Sequence, residues 1–294
     1  MFRKNPKFQH QQPASAKNEL KLTEDDLLDQ LALKKGSGLF MGAYSVEQIE
    51  AVCERSGLFP NLRKQGFTDF RILIEPLEDF SQALKFYSKF IDADHLLGEL
   101  RVREVKIDPP EAMADFFDKE PRMLAMDWLL MQNPFRAFSP ERLRLPGQEH
   151  PGLGQARKVL KILLMFCRLR RLSGLLNFPE YFHNAAIYQY AFHFYSPEQE
   201  ALLTSLPRDL HPLDLAEMSW AIEWNCVRDL ANSTIFEWQP GSQILPIAPG
   251  FHDYLISDSY FVQVQGWYNQ QKFELDKNKF EFMWQREFEE IKHV

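Results

Sequence analysis

Residues 145–195 constrain the fold more than any other part of the sequence. They open with a glycine-punctuated turn, LPGQEHPGLG, continue as the longest apolar segment of the chain and end in an aromatic-rich segment. After the turn, apolar residues recur at the spacing of one helix face, which predicts an amphipathic helix. The residues of this stripe are Leu153, Ala156, Leu160, Leu163, Leu164, Cys167 and Leu172.

The turn before this helix has the composition of an anion-binding loop. Gly152 and Gly154 flank Leu153, and glycine allows a ligand to approach the backbone closely. A loop that leads directly into a helix leaves N–H groups unpaired, and the positive end of the helix dipole favours phosphate or carboxylate. The helix flanks are basic: Arg157, Lys158, Lys161, Arg168 and Arg171. A plain turn followed by a solvated basic face explains the same residues.

The two interpretations of the turn differ in what a valine at Gly154 would do. If the turn binds an anion, the side chain should block the amides and leave the stability of the free protein nearly unchanged. If the turn is only structural, the same change should cost about 1 kcal/mol or more through backbone strain.

Composition limits the class of protein. With 294 residues, a net charge of −7 and 45% hydrophobic residues, the chain is globular, and its acidic balance argues against a general nucleic-acid partner. Cys53, Cys167 and Cys226 are scattered in apolar contexts, which predicts buried thiols rather than disulfides or a metal site. The sequence shows no secretory signal, and its longest apolar run, 162–167, is too short to span a membrane. We therefore expect a cytoplasmic protein.

Two segments in the first half of the chain have strand patterns. Residues 70–74 alternate apolar and other side chains, as a strand does. Residues 96–107 continue the pattern, but the alternation slips between Val102 and Val105, which indicates a bulge or a bend.

The nearly continuous apolar segment 123–131, MLAMDWLLM, is ambiguous between strand and helix. We predict a strand because Pro121 and Pro134 bound a segment of strand length. Asp127 is its one charged residue, and a buried carboxylate is costly unless it is paired. Asp127 is therefore a candidate for proton transfer, and a hydrogen bond to a loop or to an arginine is the structural alternative.

The remaining segments are mainly helical by pattern. Helices are predicted over 24–34, over 46–57 behind a capping box at Ser45–Gln48, over about 77–90, after Ser196 and after Pro212. Residues 236–249 have the composition of a loop, and 273–288 fit either a hairpin or a helix. We divide the chain into a disordered tail (1–22), an α/β core (23–200) and a helical, aromatic-rich extension (201–294). The predicted class is α+β, with a mixed, mostly antiparallel sheet flanked by helices.

The order of elements over residues 38–195, together with the turn, resembles the GNAT-type acyltransferases, which transfer acyl groups from coenzyme A. In that family an Arg/Gln-x-x-Gly-x-Gly/Ala turn holds the pyrophosphate of the cofactor. Gly152 and Gly154 match the two small positions, whereas Glu149 stands at the Arg/Gln position. Asn184 matches the first residue of a second family motif, in which Tyr188 or Tyr190 would be the tyrosine.

The resemblance implies an acyl-coenzyme A-dependent N-acyltransferase that acts on an amine and needs no metal. It implies that the residues Gly152, Leu153, Gly154, Gln155, Arg157 and Asn184 bind the cofactor. Tyr188 or Tyr190 would protonate the leaving thiolate, and Asp127 or Glu99 would act as the base. His150, beside the turn, is a further catalytic candidate, although a lone loop histidine is more often structural.

A non-catalytic alternative is a ligand-binding or protein-interaction module on a degenerate fold of the same kind. Its sequence signal is the aromatic C-terminal third, which would cover a hydrophobic partner or close a homodimer. The tryptophans of this region are Trp220, Trp224, Trp238, Trp267 and Trp284. An open groove with free amides beside Gly152 and Gly154 would favour acyl-coenzyme A, and a filled groove would favour the module.

Overall fold

The computed structural model describes residues 21–22, 38–77, 81–108 and 120–288. The strands are β1 Lys21–Leu22, β2 Phe70–Pro76, β3 Gln82–Ser88, β4 Leu96–Asp108, β5 Arg122–Met131, β6 Gly174–Asn177, β7 His193–Phe194, β8 Val227–Asp229, β9 Thr234–Ile235, β10 Gln243–Pro246 and β11 Phe273–Leu275. The helices are α1 Val46–Arg55, α2 Leu58–Lys64, α3 Ala156–Arg170, α4 Phe182–Tyr188, α5 Pro197–Asp209, α6 Leu215–Glu223, α7 Pro249–Leu255, α8 Asp258–Gln270 and α9 Lys277–Phe288.

The central sheet is mixed and mostly antiparallel. Its strand order is β2-β3-β4-β5-β6-β10-β7, and β1 pairs with the end of β4. The pair β5–β6 is parallel, and its crossover is α3, as parallel neighbours require a long connection. A small second sheet has the order β11-β8-β9. The predicted α+β class, with a largely helical C-terminal region, is confirmed.

A bulge on β5 changes which side chains face the core. Arg101 lies opposite Trp128 and Val102 opposite Met126, so Asp127 is an extra residue on β5. Because one residue is inserted, Met126 and Leu129 both pack into the same core cluster despite their odd spacing. The predicted irregularity between Val102 and Val105 was therefore misplaced: it lies one residue earlier along β4, and the inserted residue belongs to the partner strand.

Three apolar clusters hold the described chain together. One face of the sheet packs against α1, α2 and α3, and the other packs against α7 and α8. The third cluster joins α4, α5, α6 and α9 with the small sheet. Beside it the rings of Trp220 and Trp224 stack at 4.9 Å, and those of Trp284 and Phe288 lie 4.5 Å apart. These three tryptophans thus pack within the chain.

Two predicted elements were wrong. Residues 77–90 contain strand β3, not a helix, and β3 is buried along most of its length between two neighbours. Residues 236–249 contain β10, which pairs with β6 and β7 inside the central sheet. In both segments, pairing with distant strands outweighs the local composition. β10 also places part of the predicted extension in the core sheet.

Other local predictions fit the structure. Ser45 and Gln48 form the predicted capping box of α1, and residues 123–131 lie in β5. Of the two alternatives for 273–288 the helix is right: α9 covers Lys277–Phe288, and the short strand β11 before it pairs with β8 rather than forming a hairpin. The short helix α2 was not predicted. The helix predicted over 24–34 lies outside the described residues, and of the predicted tail only Lys21–Leu22 is described, as β1.

Candidate functional site

The glycine turn is docked on the end of β5. The Leu153 N–H donates to the Met131 carbonyl at 3.2 Å, and the Asn133 N–H donates to the Pro151 carbonyl at 2.7 Å. Gly152 forms a β-bridge with Gln132. These contacts fix the turn immediately before α3 begins at Ala156.

Side chains from distant segments occupy the carbonyl side of the turn. Gln65, which follows α2, and Gln155 both donate to the Leu153 carbonyl at 3.3 Å. Asn61 of α2 donates to the Gln155 side chain at 3.3 Å. Arg142 donates to the Gly152 carbonyl. These side chains therefore hold the turn through its carbonyl oxygens and leave its N–H groups on the opposite side.

The N–H groups of Gly154, Gln155, Ala156 and Arg157 have no hydrogen-bond acceptor in the part of the chain that the structure describes. Gly154 is exposed, and a Cβ built on it would meet no atom within 4 Å. These donors stand at the N-terminus of a 15-residue helix, where the dipole adds positive potential. The arrangement can bind an anion through several backbone donors.

Gly154 has a φ of 68°, a conformation that favours glycine. This corrects the expectation that valine at Gly154 would leave the stability of an anion-binding turn unchanged. A β-branched residue is strained there whether or not an anion binds. Stability therefore does not separate the two interpretations of the turn, and ligand binding has to be measured directly.

Part of the β5 edge beside the turn has no strand partner. β6 pairs with β5 over its whole length, from Met123 opposite Gly174 to Met126 opposite Asn177, and then ends. Beyond Met126, this edge of β5 has no strand partner among the described residues until Gly152 meets Gln132. The unpaired edge therefore lies between the end of β6 and the turn.

The two candidate tyrosines lie at the end of α4. The Arg157 guanidinium lies over the Tyr190 ring at 5.2 Å, which places this end of α4 beside the turn. Tyr190 is exposed, whereas Tyr188 packs against Phe192 with ring centroids 5.9 Å apart. Burial raises the pKa of Tyr188 to about 12, so its hydroxyl keeps its proton at neutral pH.

The candidate bases, Asp127 and Glu99, are both paired with arginines. Arg103 donates to Asp127 at 2.9 and 3.3 Å, and Arg101 donates to Glu99 at 2.6 Å. For Asp127 the structure therefore has the arginine pairing that was the structural alternative.

Strand register places the two carboxylates away from α3. Glu99 lies opposite Leu130, whereas the neighbouring pair, Leu100 and Leu129, faces the core under α3. Since side chains alternate along a strand, Glu99 points to the other face of the sheet. Arg103, the partner of Asp127, shares that alternation with Val105, which packs on the α7–α8 side.

The remaining predicted residues contribute less to the geometry. His150 has no hydrogen-bond partner in the described ranges and lies two positions before the turn. The Asn184 N–H donates to the Tyr181 carbonyl at 3.1 Å, and its side chain is partly exposed. Sequence reasoning missed Asn61, Gln65 and Arg142, which hold the turn; no local pattern marks them, because their contacts are long-range.

An apolar cavity of about 370 Å³ lies between α1, α3 and the sheet. Its walls include Leu129 and Met131 of β5, Leu100 of β4 and the apolar stripe of α3. Its rim includes the exposed side chains of Gln48, Arg55, Met165 and Leu169, so the cavity opens between the two helices.

A second cavity, of about 300 Å³, is polar and lies where α4 meets α6. Glu180, Glu223 and Glu237 border it, together with His183. The His183 Nδ1 atom is buried without a hydrogen-bond partner, and burial lowers the pKa of this histidine to about 4. It is therefore neutral at physiological pH.

Cys53, Cys167 and Cys226 are buried and free, as predicted, and burial raises the pKa of Cys53 and Cys167 to about 12. Within residues 38–77, 81–108 and 120–288, no cluster of histidine, cysteine or acidic residues is arranged to hold a metal ion. No helix in the described ranges is long and apolar enough to cross a membrane. The sequence matches no family model and none of the curated proteins with which it was compared.

Proposed function

We propose that this protein binds acyl-coenzyme A at the turn 152–157 and transfers the acyl group to an amine, as GNAT-type acyltransferases do. The observation that carries the proposal is the run of free backbone donors at the start of α3, on a turn held by its carbonyls. A diphosphate is the part of coenzyme A that these donors suit. The unpaired edge of β5 beyond Met126 offers its pantetheine arm a path past the turn.

In the proposed reaction the amine nitrogen attacks the thioester carbon, and the carbon–sulfur bond breaks. The proton lost from the amine passes to Asp127 or Glu99 through water, because both carboxylates point to the face of the sheet opposite α3. The departing thiolate takes a proton from Tyr188, or from Tyr190 on the exposed side. Because both carboxylates carry arginine partners, the incoming amine must compete with a guanidinium for the base.

Calorimetric titration of coenzyme A into the protein tests the binding step. Ala156→Asp places a carboxylate among the free donors, where it should be neutral or favourable for the helix but should repel a diphosphate. A charge-assisted hydrogen bond contributes about 1.5–3 kcal/mol, so the loss of one should weaken binding about tenfold or more.

A matched pair of charge reversals sharpens the titration. Arg157→Glu, beside the free donors, should weaken binding, and more strongly at low salt because the charge is exposed. Arg168→Glu makes the same change near the other end of α3 and should leave the affinity almost unchanged. If coenzyme A gives no heat with the wild type, the proposal is wrong.

Ligand binding without catalysis is the second candidate, and the pairing of both carboxylates favours it. Release of free thiol from acyl-coenzyme A in the presence of an amine panel separates the two. A binding module would bind the cofactor and release no more thiol with an amine than without one.

A further inference from the structure

The proposed function leaves the acyl group undefined, and the apolar cavity between α1 and α3 bears on it. Its volume, about 370 Å³, lies in the range of cavities that bind small organic ligands. Its polar and charged neighbours contribute little inside: Gln48 and Arg55 are exposed at the rim, and the Glu99 carboxylate pairs with Arg101 on the other face of the sheet. The interior therefore suits an apolar group.

Two residues of the cavity wall are close to the turn in the structure. Met131 accepts the Leu153 N–H with its carbonyl and lines the cavity. Val159, in the first turn of α3, also lines it. From Val159 the wall follows α3 to Leu169, a distance of about 15 Å at 1.5 Å per residue. The cavity, called the groove below, thus has a wall that begins in the first turn of α3, the turn that also carries the free N–H groups of Ala156 and Arg157.

We infer that this groove binds the hydrocarbon chain of a long-chain acyl group, so that the acyl donor is a fatty acyl-coenzyme A. This inference rests on the proposed function for the link to coenzyme A. The length along α3 and the apolar walls exceed what an acetyl group needs. The open rim at Met165 and Leu169 lets the end of a longer chain reach solvent.

Titration with coenzyme A, acetyl-, octanoyl- and palmitoyl-coenzyme A, below micelle-forming concentrations, tests the inference. Each buried methylene contributes about 0.8 kcal/mol, which corresponds to about fourfold in affinity. Affinity should therefore rise steeply from acetyl to octanoyl and less steeply beyond, as the chain reaches the rim. Equal affinity for all four would overturn the inference and leave the proposed function standing.

Two tryptophan variants locate the chain. Ile162→Trp fills the groove from α3 and should remove the chain-length dependence while preserving the affinity for coenzyme A itself. Lys161→Trp, an exposed neighbour outside the groove, should change neither. Chain-length dependence that survives Ile162→Trp would place the chain elsewhere and overturn the inference.

Palmitate without coenzyme A separates failure of the inference from failure of the proposed function. Palmitate binding that Ile162→Trp abolishes, with no binding of coenzyme A, would support the apolar site and refute the proposed function. The same series on a chain lacking residues 1–20, which leaves β1 in place, tests another occupant. Chain-length dependence that appears only after this truncation would show that the N-terminal segment fills the groove, and would overturn the inference.

Discussion

The turn at 152–157 and the carboxylates of Asp127 and Glu99 are the two halves of the candidate site, and they satisfy their polar groups in opposite ways. At the turn, the carbonyls are bonded and four consecutive N–H groups have no acceptor in the described chain. At the sheet, each carboxylate is already bonded to an arginine. The N–H groups of the turn can bind a ligand as they stand, whereas each carboxylate must first release its arginine.

Free N–H groups at the turn and paired carboxylates on the sheet have different consequences for ligand binding and for catalysis. Unpaired donors on a rigid turn need no rearrangement to receive an anion, which lowers the cost of binding. A paired carboxylate accepts a proton only after an amine displaces the guanidinium or a water joins them. The structure therefore favours the binding step more directly than the chemical step.

The largest expected effect is on the rate of acyl transfer and comes from changing the two candidate bases. If Asp127 or Glu99 is the base, Asp127→Asn or Glu99→Gln should lower the rate of acyl transfer by about 10²–10⁴. The affinity for coenzyme A should stay the same, because neither residue touches the turn. Glu75→Gln is the control, since Glu75 pairs with Lys85 on strands farther from β5. Full rates in both variants would exclude these carboxylates as bases.

The next largest effect is on the stability and ligand binding of the turn and comes from changing Gly154. Gly154→Val should destabilise the protein by about 1–3 kcal/mol, because a β-branched residue is strained at positive φ. It should also abolish coenzyme A binding by covering the free donors. Gly154→Asn, which tolerates this backbone conformation better, should recover most of the stability measured by urea unfolding. Equal stability of wild type and Gly154→Val would contradict the observed turn geometry.

His183 differs from both the turn and the carboxylates, because its Nδ1 atom is unpaired among the described residues but buried. Its pKa is about 4 in the folded protein against an ordinary 6.5, so the unfolded chain takes up the proton first as the pH falls. Above the ordinary pKa both states are neutral and the histidine contributes nothing. Between the ordinary and the folded pKa stability is lost, by about 2 kcal/mol at pH 5.

Urea unfolding at neutral pH and at pH 5 measures this loss. His183→Gln should remove about 2 kcal/mol of the pH dependence, whereas His252→Gln, on an exposed histidine, should leave it in place. A pH dependence identical in wild type and His183→Gln would show that the histidine is not buried neutral.

The smallest expected effect comes from Tyr190, which contacts Arg157 beside the turn. The contact of Arg157 with the Tyr190 ring is exposed, and such cation–π pairs contribute about 0.5–1 kcal/mol. Tyr190→Leu should therefore weaken coenzyme A binding no more than about fivefold, through a less ordered Arg157. A loss much larger than this, measured by calorimetry, would mean that Tyr190 contacts the ligand itself.

The local features of the fold were predictable from sequence, and the long-range ones were not. The capping box at Ser45, the strand at 123–131 and the helix after Gly154 all follow from patterns within a few residues. Strands β3 and β10 were missed because pairing with distant neighbours, not composition, determines them. The bulge at Asp127 depends on register, which a single strand does not reveal.

The same distinction between local and long-range features applies to the candidate site. The two glycines and the helix that follows them predicted where free donors would lie. Asn61, Gln65 and Arg142 come from distant segments to hold the turn, and Arg103 reaches Asp127 from the neighbouring strand. Arg101 and Glu99, in contrast, are two residues apart on β4. The sequence therefore predicted the donors but not the side chains that hold the turn, and it offered the pairing of Asp127 with an arginine only as an alternative.

An amide-resolved NMR titration with coenzyme A tests most directly whether the turn binds the cofactor. We expect the N–H signals of Gly154, Gln155, Ala156 and Arg157 to shift downfield together as their protons bond to the diphosphate. The Leu153 N–H, already bonded to Met131, should shift less. Saturable shifts confined to other parts of the molecule, or no shifts in these four signals, would show that coenzyme A does not bind at this turn.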